Sequence, residues 1–337
     1  MINFKHNFLS LAVGCLTLLT SCTKSDPDPT PVVVPPPTVI GTNTGDLKLF
    51  VIDTAKVNTV TMTGTNETTI LNKKINMNSY IGDFSLNSDA TKFVYVDNQG
   101  SAPKTIRMAN SNGTSDAVIY AAPANTATVS TQIKYLKFGT SKIYFATEKQ
   151  TISGPTSSII TKMNTINFDG TGLISENAPF GGNDMTNESK YIISKASVVG
   201  TTNERIFITD RTGDNGAGTT YHFVDVPTTK TFYASKPVFS YDNKIAYYSY
   251  IESQNLKVEI INMTTKTSET KTIASGIAFT FFNLNISVAS DNNRGVVTVE
   301  NYGTRTAPTK SYVFNLSNST STSFNNNDAY IYDIHAF

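Results

Sequence analysis

"AYIYDIHAF", residues 329–337, ends this chain, and "SYIGDFSLN", residues 79–87, lies near its beginning. Both contain Tyr-Ile-x-Asp, and both have the alternating apolar pattern of a strand. The early copy is followed by a polar turn, a lysine and an apolar run, "NSDATKFVYVD" (87–97). The late copy has no chain left to follow it. A segment resembling that continuation, "NTGDLKLFVID" (43–53), lies near the start of the sequence with no such strand before it. The last strand therefore supplies what the first repeat lacks, and the two ends of the folded region meet in one sheet.

The same unit recurs between these ends. "GTSKIYFATE" (139–148), "TNESKYIISK" (186–195), "SYDNKIAYYS" (240–249) and "SDNNRGVVTVE" (290–300) each join a polar turn to a basic residue and an apolar strand. Taking Lys48, Lys92, Lys142, Lys190, Lys244 and Arg294 as anchors, the spacings are 44, 50, 48, 54 and 50 residues. A period near 50 with strand-like content belongs to propeller blades. After each anchor comes a second strand, such as "TIRMANSNG" or "IITKMNTINFDG", and a third, such as "DAVIY" or "SETKTI". Asn112-Gly113 and Asp169-Gly170 supply the positive φ that tight hairpins need. Short strands precede five anchors: "YIGDFSL", "IKYLKF", "NDM", "KPVFS" and "LNISV". The expectation is an all-β, six-bladed propeller of four-stranded antiparallel blades, closed by the C-terminal strand completing the first blade. No segment has helical periodicity of useful length. The aromatic run "IAYYSY" (245–250) reads as a strand buried on both faces, with a sugar-stacking platform as the other reading.

These repeats resemble the TolB-like six-bladed β-propeller family, whose blades combine a Ser-Pro-Asp-Gly-type turn with a Tyr-x-Met-Asn-x-Asp-Gly-type hairpin. The hairpin is clearest in "IRMANSNGT" and "NTINFDGT"; the first turn is worn, as in "SYDN" and "ASDNN". The resemblance covers residues 43–337 and implies fold far more than function. TolB's partner binding uses an added N-terminal domain, so that role is not carried over.

The N-terminus gives an address. Residues 1–21 read as a lipoprotein signal peptide: Lys5, an apolar stretch from Phe8 to Leu19, then Thr20 and Ser21 before Cys22. The stretch is shorter than a bilayer-spanning helix. Its Leu-small-small-Cys ending resembles the bacterial lipobox, which implies lipidation of Cys22 and a membrane partner. An ordinary secretory signal is the competing reading. Residues 22–42 then form a lipidated cysteine and a proline-rich tether, and 43–337 the propeller. Proline at this density favours a semi-rigid spacer, roughly 45 Å over about 15 residues. Thr23 in place of aspartate leans towards the outer membrane of a Gram-negative envelope, on its periplasmic or its surface face.

Composition narrows the function classes. The 337 residues carry a net charge of +1, with 27 basic and 26 acidic side chains, so no basic excess points to nucleic acid. Cys15 and Cys22 are the only cysteines, and Cys15 lies in the leader. That leaves no internal disulfide and no cysteine nucleophile beyond Cys22. There is no tryptophan for sialidase-type repeats and no Gly-x-Ser-x-Gly elbow. His222 and His335 have no recognisable nucleophile partner in sequence.

Propellers bind ligands at the central channel. Aligning the upstream strands gives one position per blade: Asp333, Asp83, Lys137, Asp184, Val238 and Asn285. Asp83, Asn285 and Asp333 fall on neighbouring blades, and their oxygens suit Ca²⁺; six-bladed lactonase-like propellers hold calcium in such a place. The other reading is a set of solvated or turn-capping residues in a wet channel, and a one-residue slip of register would move them. "TDRTGDNGAGT" (209–219), with Asp210, Asp214 and Asn215, lacks the spacing of an EF-type loop and reads as a hairpin. The leading expectation is a non-catalytic binding or scaffolding module for a protein, peptide or glycan. The alternative is a calcium-dependent hydrolase or lactonase.

Overall fold

The computed structural model divides the chain into two compact units, Met1–Ile40 and Gly41–Phe337. The structure describes residues 48–53, 55–61, 65–73, 78–100, 102–177, 184–186, 190–197, 204–212, 219–226, 235–277, 282–301, 310–325 and 331–336, all in the second unit. Of these, residues 53, 197, 282–283, 300–301 and 331–336 are described by their backbone. The leader, Cys22 and the proline-rich segment lie outside the described residues.

The described residues form six four-stranded antiparallel sheets and no helix. Blade one holds β1 (Leu49–Asp53), β2 (Lys56–Val60) and β3 (Thr68–Asn72), with β24 (Ile331–Ala336) beside β1. Blade two is β4 (Ser79–Leu86), β5 (Lys92–Gln99), β6 (Thr105–Asn110) and β7 (Ala117–Ala121). Blade three is β8 (Val129–Phe138), β9 (Lys142–Ser153), β10 (Thr156–Asn167) and β11 (Ile174–Asn177). Blade four is β12 (Asp184–Met185), β13 (Tyr191–Ser197), β14 (Glu204–Asp210) and β15 (Thr219–Val226). Blade five is β16 (Val238–Phe239), β17 (Ile245–Glu252), β18 (Asn255–Asn262) and β19 (Ser268–Ala274). Blade six is β20 (Phe282–Val288), β21 (Arg294–Asn301), β22 (Lys310–Asn315) and β23 (Thr320–Asn325). The closure expected from the paired Tyr-Ile-x-Asp segments is present: Leu49 pairs with Ala336 and Ile52 with Asp333.

Packing shows that these sheets form a ring. Each junction between consecutive blades has its own apolar cluster. Phe50 and Ile52 meet Phe84 and Phe93 between blades one and two. Val94 and Ile106 meet Ile133 and Phe145 between two and three. Met163 meets Met185 and Ile192 between three and four, and Ile206 meets Tyr248 between four and five. Tyr247 meets Val297 and Phe314 between five and six. The sixth cluster, Leu49 and Val51 with Val296 and Val313, joins blade six back to blade one. Such sheets are covered on both faces, so their middle strands are apolar throughout instead of alternating. Tyr247, Tyr248 and Tyr250 are at most 1% exposed, which makes the aromatic run of β17 core and leaves no platform for a sugar.

Side chains in the turns fix where each strand begins. Asp89 accepts the amide and hydroxyl of Thr91, and Asp291 accepts the amides of Asn293 and Arg294. At the second hairpin an Asn-x-Asp/Asn-Gly-Thr box recurs. Asn110 donates to the Thr114 hydroxyl, which donates to Asn112. Asn167, Thr171 and Asp169 repeat this arrangement. The glycine in each box has φ of +82° and presses on the neighbouring blade. A Cβ on Gly113 would lie 1.8 Å from the Ile70 carbonyl oxygen, and one on Gly170 2.8 Å from that of Ile119. Both backbones approach too closely for any side chain.

This contrast gives a test of blade packing. Gly113→Ala meets strain and a backbone clash, and is expected to cost about 2 to 4 kcal/mol in urea unfolding. A Cβ on Gly154, in the β9–β10 turn at φ +60°, would meet nothing within 4 Å. Gly154→Ala is expected to cost only about 1 kcal/mol from backbone strain.

Candidate functional site

The inner strands β4, β8, β12, β16 and β20 surround a cavity of about 530 Å³. Backbone bonds set their register. The amides of Asn87, Gly139, Thr186, Ser240 and Ala289 donate to the carbonyls of Lys92, Lys142, Tyr191, Ile245 and Arg294. In blades four and five the equivalent positions are therefore Tyr191 and Ile245, one residue after the lysines used as anchors in the sequence. Counting back from these bonds, Ser85, Lys137, Asp184, Val238 and Ser287 form one row around the channel. Each faces the equivalent residue of the next strand: Val94, Tyr144, Ile193, Tyr247 and Val296. In blade one the backbone places His335 in this row, opposite Phe50.

A second row lies two residues upstream: Asp83, Tyr135, Lys236 and Asn285, with Asp333 placed there by its backbone. The positions aligned from the sequence thus divide between two rows. Lys137, Asp184 and Val238 occupy the first, and Asp83, Asn285 and Asp333 the second. The two rows lie two residues apart along each strand, and Asn285 stands two residues upstream of Ser287 in a strand with no register shift. Two of the inner strands carry β-bulges beside the cavity. Gly82 and Asp83 together face Val96, between the Ile81–Asp97 and Phe84–Tyr95 pairs. Tyr135 and Leu136 together face Phe145, and Tyr135 has φ of 57°. Bulges of this kind re-aim side chains beside a site.

Asp83, Lys137, Asp184, Val238 and Asn285 all line the one cavity, as do Tyr80, Lys134, Tyr135, Lys236 and Tyr241. Sequence reasoning missed this second group. Tyr241 carried a readable signal, since the equivalent residues Ser88, Thr140, Asn187 and Ser290 are all small and polar. It packs against the cluster between blades one and two, although it leaves blade five. Its ring therefore crosses the channel where the inner strands finish. The turn that carries it is held by Ser240, which accepts the Ile245 amide and donates to Asp242. Burial, and then the charge of Asp184, push the Tyr241 hydroxyl well above its ordinary pKa.

In the first row Lys137 and Asp184 satisfy each other. Lys137 Nζ lies 3.3 Å from Asp184 Oδ2, and the same oxygen accepts the Phe239 amide at 2.7 Å. One carboxylate thereby ties blades three, four and five together. Ser85 Oγ accepts the Phe138 amide at 2.9 Å and joins blades two and three in the same manner. Nearer the mouth, Lys134 pairs with Glu148 at 2.5 Å. Burial pushes the Tyr135 hydroxyl up to about 12, with Glu148 and Asp83 adding to the effect.

Asp184 is already occupied by an ammonium and an amide, and the row of Asp83 and Asn285 also contains Lys236. Among the described residues no three carboxylates, imidazoles or thiolates converge on one point. The Asp333 side chain lies outside the described residues. So do Asp214 and Asn215, while Asp210 accepts both the amide and the hydroxyl of Thr212 and closes its hairpin. His222 sits on β15, the outermost strand of blade four, with its pKa lowered by burial and then by Lys266.

No protein-family model matches the chain, and no curated protein matches it. Solved structures do match. TolB from Acinetobacter baumannii superposes with a TM-score of 0.55 at 13% identity, covering 86% of this chain and 66% of TolB. The chain has the TolB-like propeller fold. It spans just under two thirds of that relative's length, 66%. A protein of unknown function from Bacteroides caccae superposes with a TM-score of 0.52 at 8% identity, covering 87% of this chain and 99% of the other. Identities this low establish the propeller and nothing about what it binds.

The Asp184 tie predicts an asymmetry between the rows. Asp184→Ala strands the Lys137 ammonium and the Phe239 amide, and is expected to cost about 2 to 3 kcal/mol in urea unfolding. Asp83 is exposed, and Asp83→Ala is expected to cost under about 1 kcal/mol.

Proposed function

We propose that this chain is a lipid-anchored, extracytoplasmic binding module whose ligand, a protein, peptide or glycan, engages the mouth of the central cavity and is not chemically altered. The observation that carries this reading is the Lys137–Asp184–Phe239 tie. The ionised groups deepest in the cavity are committed to one another and to the backbone, while Tyr241 crosses the far end. The outer row, with the exposed Asp83 and Lys236, is a surface suited to holding a molecule. The cavity volume falls within the usual range for ligand pockets, roughly 300 to 1,000 Å³.

The anchoring part rests on the N-terminal sequence. Lys5, the apolar stretch from Phe8 to Leu19 and the Thr20-Ser21-Cys22 ending support cleavage before Cys22 and lipidation there. One acyl chain holds a protein only marginally, and a second or third makes attachment durable. The proline-rich tether after Cys22 suits a domain held away from a lipid surface, and Thr23 favours the outer membrane.

Two measurements test the two parts. With an alkyne-tagged fatty acid fed to expressing cells, the native chain is expected to be labelled and to pellet with membranes. Cys22→Ala is expected to lose the label; a labelled Cys22→Ala chain would remove the anchor from the reading. For the cavity, the full chain is screened on peptide and glycan arrays beside Lys236→Glu. Binding that the variant loses, with the ligand recovered unchanged by mass spectrometry, is the expected result. A ligand that comes back cleaved or isomerised would make this chain an enzyme.

A further inference from the structure

The outer row of the cavity has opposite charges on opposite sides. Six blades form the ring, so blade two faces blade five across the channel. Asp83 stands on blade two, in the bulge of β4, and it is exposed. Lys236 stands on blade five, and it is exposed as well. The other two lysines of the cavity each hold a carboxylate, Glu148 for Lys134 and Asp184 for Lys137. Lys236 makes no ion pair or hydrogen bond among the described residues. Its side chain nonetheless starts from a fixed backbone. Ser235 donates its amide to the Ser249 carbonyl at 2.7 Å, and Ser235 Oγ accepts the Ser249 amide at 2.9 Å. Pro237 follows, which holds Lys236 extended.

Neighbours extend both poles. Asn285, on blade six beside Lys236, carries an amide that can donate to an anion. Tyr135, on blade three beside Asp83, carries a hydroxyl that stays protonated well above neutral pH, and its oxygen can accept from a cation. A walled cleft with fixed charges focuses their field, and this one points across the channel.

Building on the binding role above, we propose that the cavity takes a short peptide with both termini free. Its carboxylate lies at Lys236 and Asn285, and its ammonium group at Asp83 and Tyr135. The two poles stand on blades three apart around the cavity, and an extended peptide gains about 3.3 to 3.6 Å of reach per residue. That favours a small peptide over a single amino acid.

The test uses trialanine, N-acetyl-trialanine and trialanine amide with the full-length chain, followed by calorimetric titration. Trialanine is expected to bind saturably, and each blocked peptide at least tenfold more weakly. Lys236→Gln is expected to bind trialanine and its amide equally. Asp83→Asn is expected to bind trialanine and its N-acetyl form equally. Both residues are exposed, and circular dichroism checks that the variants fold. No saturable binding of trialanine up to millimolar concentration overturns the proposal, as does equal binding of all three peptides by the native chain. If the arrays yield a ligand lost in Lys236→Glu while trialanine does not bind, the binding role stands and the two-terminus reading falls.

Discussion

The pairing of β24 with β1 is the constraint on which the rest of this structure depends. Without it the inner edge of blade one would be an open row of amides and carbonyls facing the channel. The junction behind it matters as much. Leu49, Val51, Val296 and Val313 are each 5% exposed or less, and they meet only if blade six reaches blade one. Fully burying one such side chain stabilises by about 1.5 to 3 kcal/mol. The junction is therefore worth on the order of 10 kcal/mol as an upper bound, comparable with the whole stability of a typical domain. An open ring of these six blades would not be a slightly weakened propeller; it would lack most of its margin.

Closure also decides the character of the channel. Inner strands that meet in a ring place one side chain per blade at each level. Their polar groups must find partners around the circle, because no second sheet lies in front of them. The first row solves this with Asp184, which answers a lysine on one neighbour and an amide on the other. Ser85 solves it with the Phe138 amide. These bonds run between blades, so they register one blade against the next at the axis.

The fold was legible in the sequence because its determinants are local and repeated. Turn residues such as Asp89 and Asp169, and hairpin glycines such as Gly113, act within a few residues of themselves and recur from blade to blade. The closure was legible for a similar reason, since Tyr-Ile-x-Asp appears at both ends. The channel was legible only in part. The sequence identified Asp83, Lys137, Asp184 and Asn285 as facing it, and all four line the cavity. It could not divide them into rows, because residues two apart on a strand share one face and the pattern does not say which of them stands level with the next blade. Lys236 was hidden for another reason. Alignment gave each blade a single position, and Val238 had already taken the place of blade five.

Low identity to other propellers follows from the same physics. Chains sharing only 8% and 13% of residues with this one superpose on it, which is possible if the fold needs only apolar middle strands, hairpin turns and a closed ring. Those demands leave the side chains at the channel mouth nearly free to vary. Asp184 and Ser85 bond one blade to the next, whereas Lys236 makes no such bond among the described residues. A residue that the architecture does not require, and that nonetheless carries a charge on rigid backbone inside a cavity, is where selection for a ligand would leave its mark. On the proposed binding role, specificity belongs to the outer row, while Asp184 and Ser85 of the inner row serve the fold.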